Sequence, residues 1–354
     1  MKKILFLVLA LSVFLLLGCK QCREKNNVSY SFSEGIIKLV SEDKETYVEF
    51  GEWPQTIKAT DVIILEDAET KQMGAHVYYK GSDGFWYAKV YENGYNTNCN
   101  YSNGTQVAVK NTENPNYLYF KVEPIKWQVL NSDYNITGKA LILADKILTA
   151  NIPYYDVHGE NRVVNGKTVY PNNYKHSTLR AFLNGLEYEY KEKDSSQEER
   201  RIFKGKGFLQ TAFTSEEQEF IITSTVDNSA ESTNPATNST IWNSGENQYA
   251  CENTTDKIFV LSEKEVTTES YGLATFIDKK TEVPKVRCAT DYTMANFGNQ
   301  STTEGFGGWW WLRSPVYHNS NLSRDFDVEG NASLNHGVYN TSGGIVPALY
   351  VSVK

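Results

Sequence analysis

Few residues in this chain are placed to do chemistry, and their spacing argues against most of it. Asp325 and Asp327 would share one face of a strand and could mimic the carboxylate pair of an acid–base catalyst, although an exposed strand edge is the simpler reading. His76, His158, His176, His318 and His336 show no metal-ligand spacing, and no cofactor or metal is expected. Cys19-x-x-Cys22 imitates half of a zinc site without a second half. No Gly-x-Ser-x-Gly, His-Glu-x-x-His or Walker sequence occurs. Binding is therefore expected rather than catalysis. A degenerate or unrecognised enzyme is the alternative, and a purely structural protein the third reading.

Residues suited to contact are concentrated near the C-terminus. Positions 317–343 hold five Asn, four Ser, two Tyr, two His and two Asp. Such side chains join apolar area to adaptable hydrogen bonding at low ordering cost. The expected ligand-binding set is Tyr317, His318, Asn319, Asn321, Asp325, Asn335, Tyr339 and Asn340, facing a protein or glycan. Gly330, Gly337 and Gly343 permit turns in what reads as a polar loop.

The elements around that loop must hold it still. In Trp309-Trp310-Trp311-Leu312-Arg313-Ser314-Pro315, strand alternation sends Trp309 and Trp311 to one face and Trp310 and Leu312 to the other. Both faces then need cover, so this is a core strand, with Arg313 stacking on an indole and donating to backbone carbonyls. Pro315 ends it, and Ile345-Val346-Pro347-Ala348-Leu349 begins the next. Upstream, Tyr47–Phe50, Val62–Leu65, His76–Tyr79 and Phe85–Tyr87 read as strands, the last two joined by a Gly81–Gly84 turn. Tyr117–Phe120 and Ile125–Leu130 form a strand region interrupted at Pro124, and the unbroken apolar run Ala140–Ala144 is a buried strand. Helices look few and short: Ser177 or Thr178 can cap one, and Thr214-x-x-Glu217 and Ser262-x-x-Glu265 are capping boxes. Residues 187–201 read as a charged, solvated insert, and residues 223–256 as loop.

The N-terminus points to export. Lys2 and Lys3 precede Ile4–Leu17, apolar but for Ser12 and too short for comfortable spanning, which needs about 20 residues. It ends in Leu16-Leu17-Gly18-Cys19, which resembles the lipobox of bacterial lipoproteins. That resemblance implies a signal peptide over 1–18, lipid on Cys19, a polar tether over 19–34 and one domain over 35–354. The partner at this end is a membrane, and the location is the cell envelope, outer membrane or cell surface. Cys22, Cys99, Cys251 and Cys288 remain, with three possible full pairings. Loss of residues 1–18 removes two of the 35 basic side chains and no acid, leaving 33 against 43 and a charge of about −10. Such a chain has no electrostatic footprint for nucleic acid.

Nine ordered motifs carry a wider resemblance. They run from YVEFGEWPQT (47–56) through PIKWQVL (124–130), ALILADKIL (140–148), STLRAFLN (177–184), FTSEEQEFI (213–221), DKIFVLS (256–262) and RCATDYTMA (287–295) to WWLRSP (310–315) and GGIVPALYV (343–351). Over roughly residues 45–352 the chain resembles a large bacterial domain family of unassigned function, except that Val346 stands where that family usually has arginine. The C-terminal part also resembles, more distantly, the formylglycine-generating-enzyme type of C-type lectin fold. Variable proteins of diversity-generating retroelements share that fold. The resemblance implies an α+β, C-type-lectin-like domain in which Tyr47–Phe50 pairs with Leu349–Val353, and a C-terminal loop open to hypervariability. It does not extend to formylglycine chemistry, because Cys288 is the only cysteine after 251, nor to calcium-dependent sugar binding, whose Glu-Pro-Asn and Trp-Asn-Asp signatures are missing.

Overall fold

The computed structural model describes residues 36–353 apart from 43–44, 66–68, 132, 157–158, 191–200, 237–246, 274–285 and 304–306. The expected signal peptide, Cys19, the tether, Cys22, His158 and most of the charged insert lie outside the described residues.

Nineteen strands are described in chain order. They are β1 (Lys38–Glu42), β2 (Glu45–Ile57), β3 (Thr70–Met73), β4 (His76–Lys80), β5 (Trp86–Tyr91), β6 (Tyr117–Val129), β7 (Lys139–Ala144), β8 (Arg162–Val164), β9 (Lys167–Val169) and β10 (Glu189–Tyr190). Then follow β11 (Arg201–Ile202), β12 (Ile221–Ile222), β13 (Ser224–Val226), β14 (Thr254–Asp256), β15 (Ile258–Phe259), β16 (Trp310–Pro315), β17 (Leu322–Phe326), β18 (Ala332–Gly337) and β19 (Ala348–Ser352).

Ten of these form one antiparallel sheet in the order β12-β19-β7-β6-β5-β4-β3, with β2 on the free edge of β6, β1 on β2, and β15 beside β12 on β19. The expected α+β class is overturned: strand makes up 36% against 14% helix, and the sheets are antiparallel. The expected lectin-like closure is absent as well. The last strand, β19, pairs with β7, β12 and β15, whereas β2 pairs with β1 and β6, so β6 and β7 separate the first and last strands.

The capping signals did form helices. Ser177 Oγ accepts from Arg180 N at 3.0 Å, and Ser262 with Glu265 closes a reciprocal box. A cap marks where a helix begins and says nothing of its length; the helix after Ser177 stops at Asn184, with Gly185 in the left-handed region.

Two thirteen-residue strands carry the core. β6 runs straight through Pro124, which pairs with Glu52 beside a bulge in β2, so the missing N–H interrupts nothing. Gly51 makes that bulge: its φ is +69°, and a Cβ there would lie 2.4 Å from the Phe213 ring. The bulge lets Phe50 and Trp53 both face inward. Trp127 Nε1 donates to Phe50 O at 2.7 Å and Trp53 Nε1 to Leu148 O at 2.8 Å, so both of these indole N–H groups are satisfied. In β7 every residue from Ala140 to Ala144 is buried, because β6 and β19 flank it within the sheet and both faces are covered. Of Val62–Leu65, only Ile64 makes a bridge, to Gly81.

Candidate functional site

A separate three-stranded antiparallel sheet, β16-β17-β18, occupies the C-terminal region expected to bind. Register sets its faces. Trp311 pairs with Asp325 and Ser323 with His336, so Trp309, Trp311, Ser323, Asp325 and His336 share one side. Trp309 and Trp311 meet edge to face at 4.9 Å, and the His336 ring lies flat on Trp309 at 3.9 Å. On the other side Trp310 stacks on Phe326 at 4.8 Å, with the Arg287 guanidinium 5.9 Å from its ring. All three tryptophans are buried.

The arginines act as clamps. Arg313 is buried and donates to Asp227 O, Val260 O and the Glu265 carboxylate, and it lies over Phe259, not over an indole. Arg287 donates to Ala144 O and Gln128 Oε1, tying the segment ahead of β16 to β6 and β7; burial holds its pKa down to about 10. Pro347 is buried and its carbonyl accepts from Ala144 N.

Buried acids lie among these clamps. Asp325 has no solvent exposure; its Oδ2 lies 3.2 Å from His336 Nδ1 in an ion-pair contact that lacks hydrogen-bond geometry. Burial pushes its carboxyl up, and His336 pulls it back. Glu263 is also fully buried, with Arg324 Nε 3.2 Å from its Oε2, and burial pushes it up to about 7 against that arginine's pull.

The expected contact set therefore divides. Residues 322–337 form a hairpin, not a loop, and β17 is its inner strand, so Asp325 belongs to the interior. Asp327 is buried too and closes the hairpin turn by accepting from Glu329 N and Asn331 N. The pair is thus not an exposed strand edge. Asn319 and Asn340 spend their side chains on their own turns, accepting from Asn321 N and Ser342 N. Asn321 is half-buried, and its carbonyl accepts from Val338 N at 2.9 Å. Four members stay outside: Tyr317 and His318 on the β16–β17 turn, Asn335 on β18, and Tyr339 on the turn after β18. The Val338–Asn321 bond brings the two tyrosine-bearing turns together.

Sequence reasoning missed a different place. A cavity of about 440 Å³ opens where the end of β2, the loop 98–102 and the segments 288–294 and 300–302 converge. Its floor is Asp291, whose carboxylate accepts from Ile57 N, Ser102 N and Ser102 Oγ. Cys99 and Cys288 both line it, and Cys99, Cys251 and Cys288 are all free thiols. Three of the ordered motifs reach this cavity, YVEFGEWPQT through Gln55 and Thr56, ALILADKIL through Lys146, and RCATDYTMA through Asp291 and its neighbours; Thr290 caps the helix Asp291–Ala295.

No curated protein and no solved structure matches the chain. Residues 137–353, more than half of the sequence and including β16–β19, the buried arginines and the C-terminal turns, match the family described as Domain of unknown function (DUF6273), and the protein belongs to that family.

Proposed function

We propose that the protein is an exported, lipid-anchored binding module of the cell envelope, whose contact surface is the adjoining turns at Tyr317–Asn321 and Val338–Asn340. One observation carries this reading: Tyr317 and Tyr339 are 37% and 48% exposed on turns that share a hydrogen bond and rest on a strand of buried tryptophans. Rigid aromatic area held on a fixed base is what a recognition surface needs, because little order remains to be imposed on binding. The ligand is a protein or glycan presented outside the cell. Positions 317, 318, 335 and 339 are also where sequence variation would leave the core untouched, which is the form a hypervariable retroelement target would take here.

The test is a joint Tyr317→Ala, His318→Ala, Tyr339→Ala variant on glycan and extracellular-protein arrays. Ligands captured by the wild type should bind the variant at least tenfold more weakly, while stability changes by less than about 1 kcal/mol. Equal capture by both proteins would place the contact surface elsewhere.

Anchoring rests on Gly18-Cys19 and has its own check. Cys19→Ser should lose lipid label and move to the aqueous phase of a detergent partition, since acyl chains supply the attachment. Retention in the detergent phase would defeat the lipobox reading.

A further inference from the structure

The cavity floored by Asp291 is built for a ligand unlike anything the tyrosine turns would hold. Its single acid is already answered by three donors, two of them backbone N–H groups. Gln300 is fixed as well: its carbonyl accepts from Asn96 Nδ2 at 2.9 Å and from the Cys99 thiol at 3.2 Å, and its Oε1 from Ala289 N at 2.8 Å. Against this locked frame, the Lys146 ammonium, the Asn98 and Asn100 carboxamides and the Thr302 hydroxyl line the same space and have no partner among the described residues. Lys146 is the only cation in the lining among the described residues. Of the two charged groups in the lining, Lys146 is thus the one left without a protein contact, and the remaining open groups match hydroxyls as donors or acceptors. A volume of 440 Å³ lies at the small end of ligand sites, which suits one small molecule rather than a polymer.

We propose that this cavity binds a small hydroxylated organic acid of the sugar-acid class. Lys146 receives the carboxylate, and Asn98, Asn100 and Thr302 receive the hydroxyls. Asp291, tied to Ile57 and Ser102, fixes the walls. The site stands apart from the tyrosine turns, so either assignment can fail alone.

The experiment is calorimetric titration of the full-length protein in detergent with D-glucuronate, D-glucose, acetate and D-glucosamine. Glucuronate should bind at one site, with glucose and acetate each at least tenfold weaker and glucosamine weaker still. Lys146→Gln should weaken glucuronate at least tenfold and leave glucose unchanged. Asn100→Ala should weaken glucuronate and glucose but not acetate. Both side chains are exposed, so melting temperatures should match the wild type, and the triple variant at 317, 318 and 339 should keep glucuronate binding. The proposal is overturned by absent glucuronate binding, by acetate or glucosamine binding as tightly as glucuronate, or by an unchanged affinity in Lys146→Gln.

Discussion

Glu263 and His76 make the stability of this protein depend on pH in opposite directions. Glu263 has a folded pKa of about 7 against an ordinary 4.5, so it takes up a proton on folding. Its contribution is complete below pH 4.5 and is lost as pH rises through 7, a change on the order of 3 kcal/mol. His76 lies between Tyr78, Tyr292 and Trp53, and burial holds it down to about 4 from 6.5. It contributes fully above pH 6.5 and loses that contribution as pH falls toward 4. The expected outcome is that Glu263→Gln abolishes the loss between pH 5 and 8 and keeps the loss below pH 6. Chemical denaturation across pH 4–8 reads both; an unchanged alkaline slope in the variant would show that another group is responsible. Neither group was legible in the sequence. Glu263 sits inside a capping box, where glutamate is normally solvated, and only the approach of Arg324 from β17 makes it interior.

At the scale of elements, the three-stranded sheet depends on a close approach that one glycine permits. A Cβ on Gly343 would lie 2.5 Å from the Trp309 ring and from Trp311 Nε1. Gly343→Ala should therefore displace both indoles and destabilise by roughly 1–3 kcal/mol, and Trp310→Ala should lose about 3–5 kcal/mol by emptying the opposite face. Thermal melts check both, and a Gly343→Ala protein as stable as the wild type would mean the loop yields freely. The tryptophan strand could be read in advance because aromatic residues on alternating faces demand cover on both sides. Its partner β17 could not: Leu-Ser-Arg-Asp-Phe has a polar centre, yet Ser323, Arg324 and Asp325 are all buried. Their cost is offset by the Leu312 and Ser314 carbonyls, by Glu263 and by His336, partners that come from other strands and a helix. Composition marked 317–343 as polar, but polarity there is split between surface turns and a buried interior in which both Asp325 carboxylate oxygens lack a hydrogen-bond donor.

For the whole molecule, the buried β7 was legible because a continuous apolar run has one economical place to go. Strand neighbours were not, since order within a sheet depends on pairings between residues far apart in sequence, and the expected partnership of first and last strands gave way to β6 and β7. The place of β19 then has a consequence for how the chain comes to be folded. The strand on which β7, β12 and β15 all pair comes after all three of them in the chain, and long after β7. Until it arrives, Ala140–Ala144 presents an apolar strand with one edge open, a template for pairing with any other chain. Nascent molecules would thus be sticky from the emergence of β7 until β19 has followed it. They would need a holding chaperone until β19 is free, and a ribosome stalled before β19 would release an aggregating product.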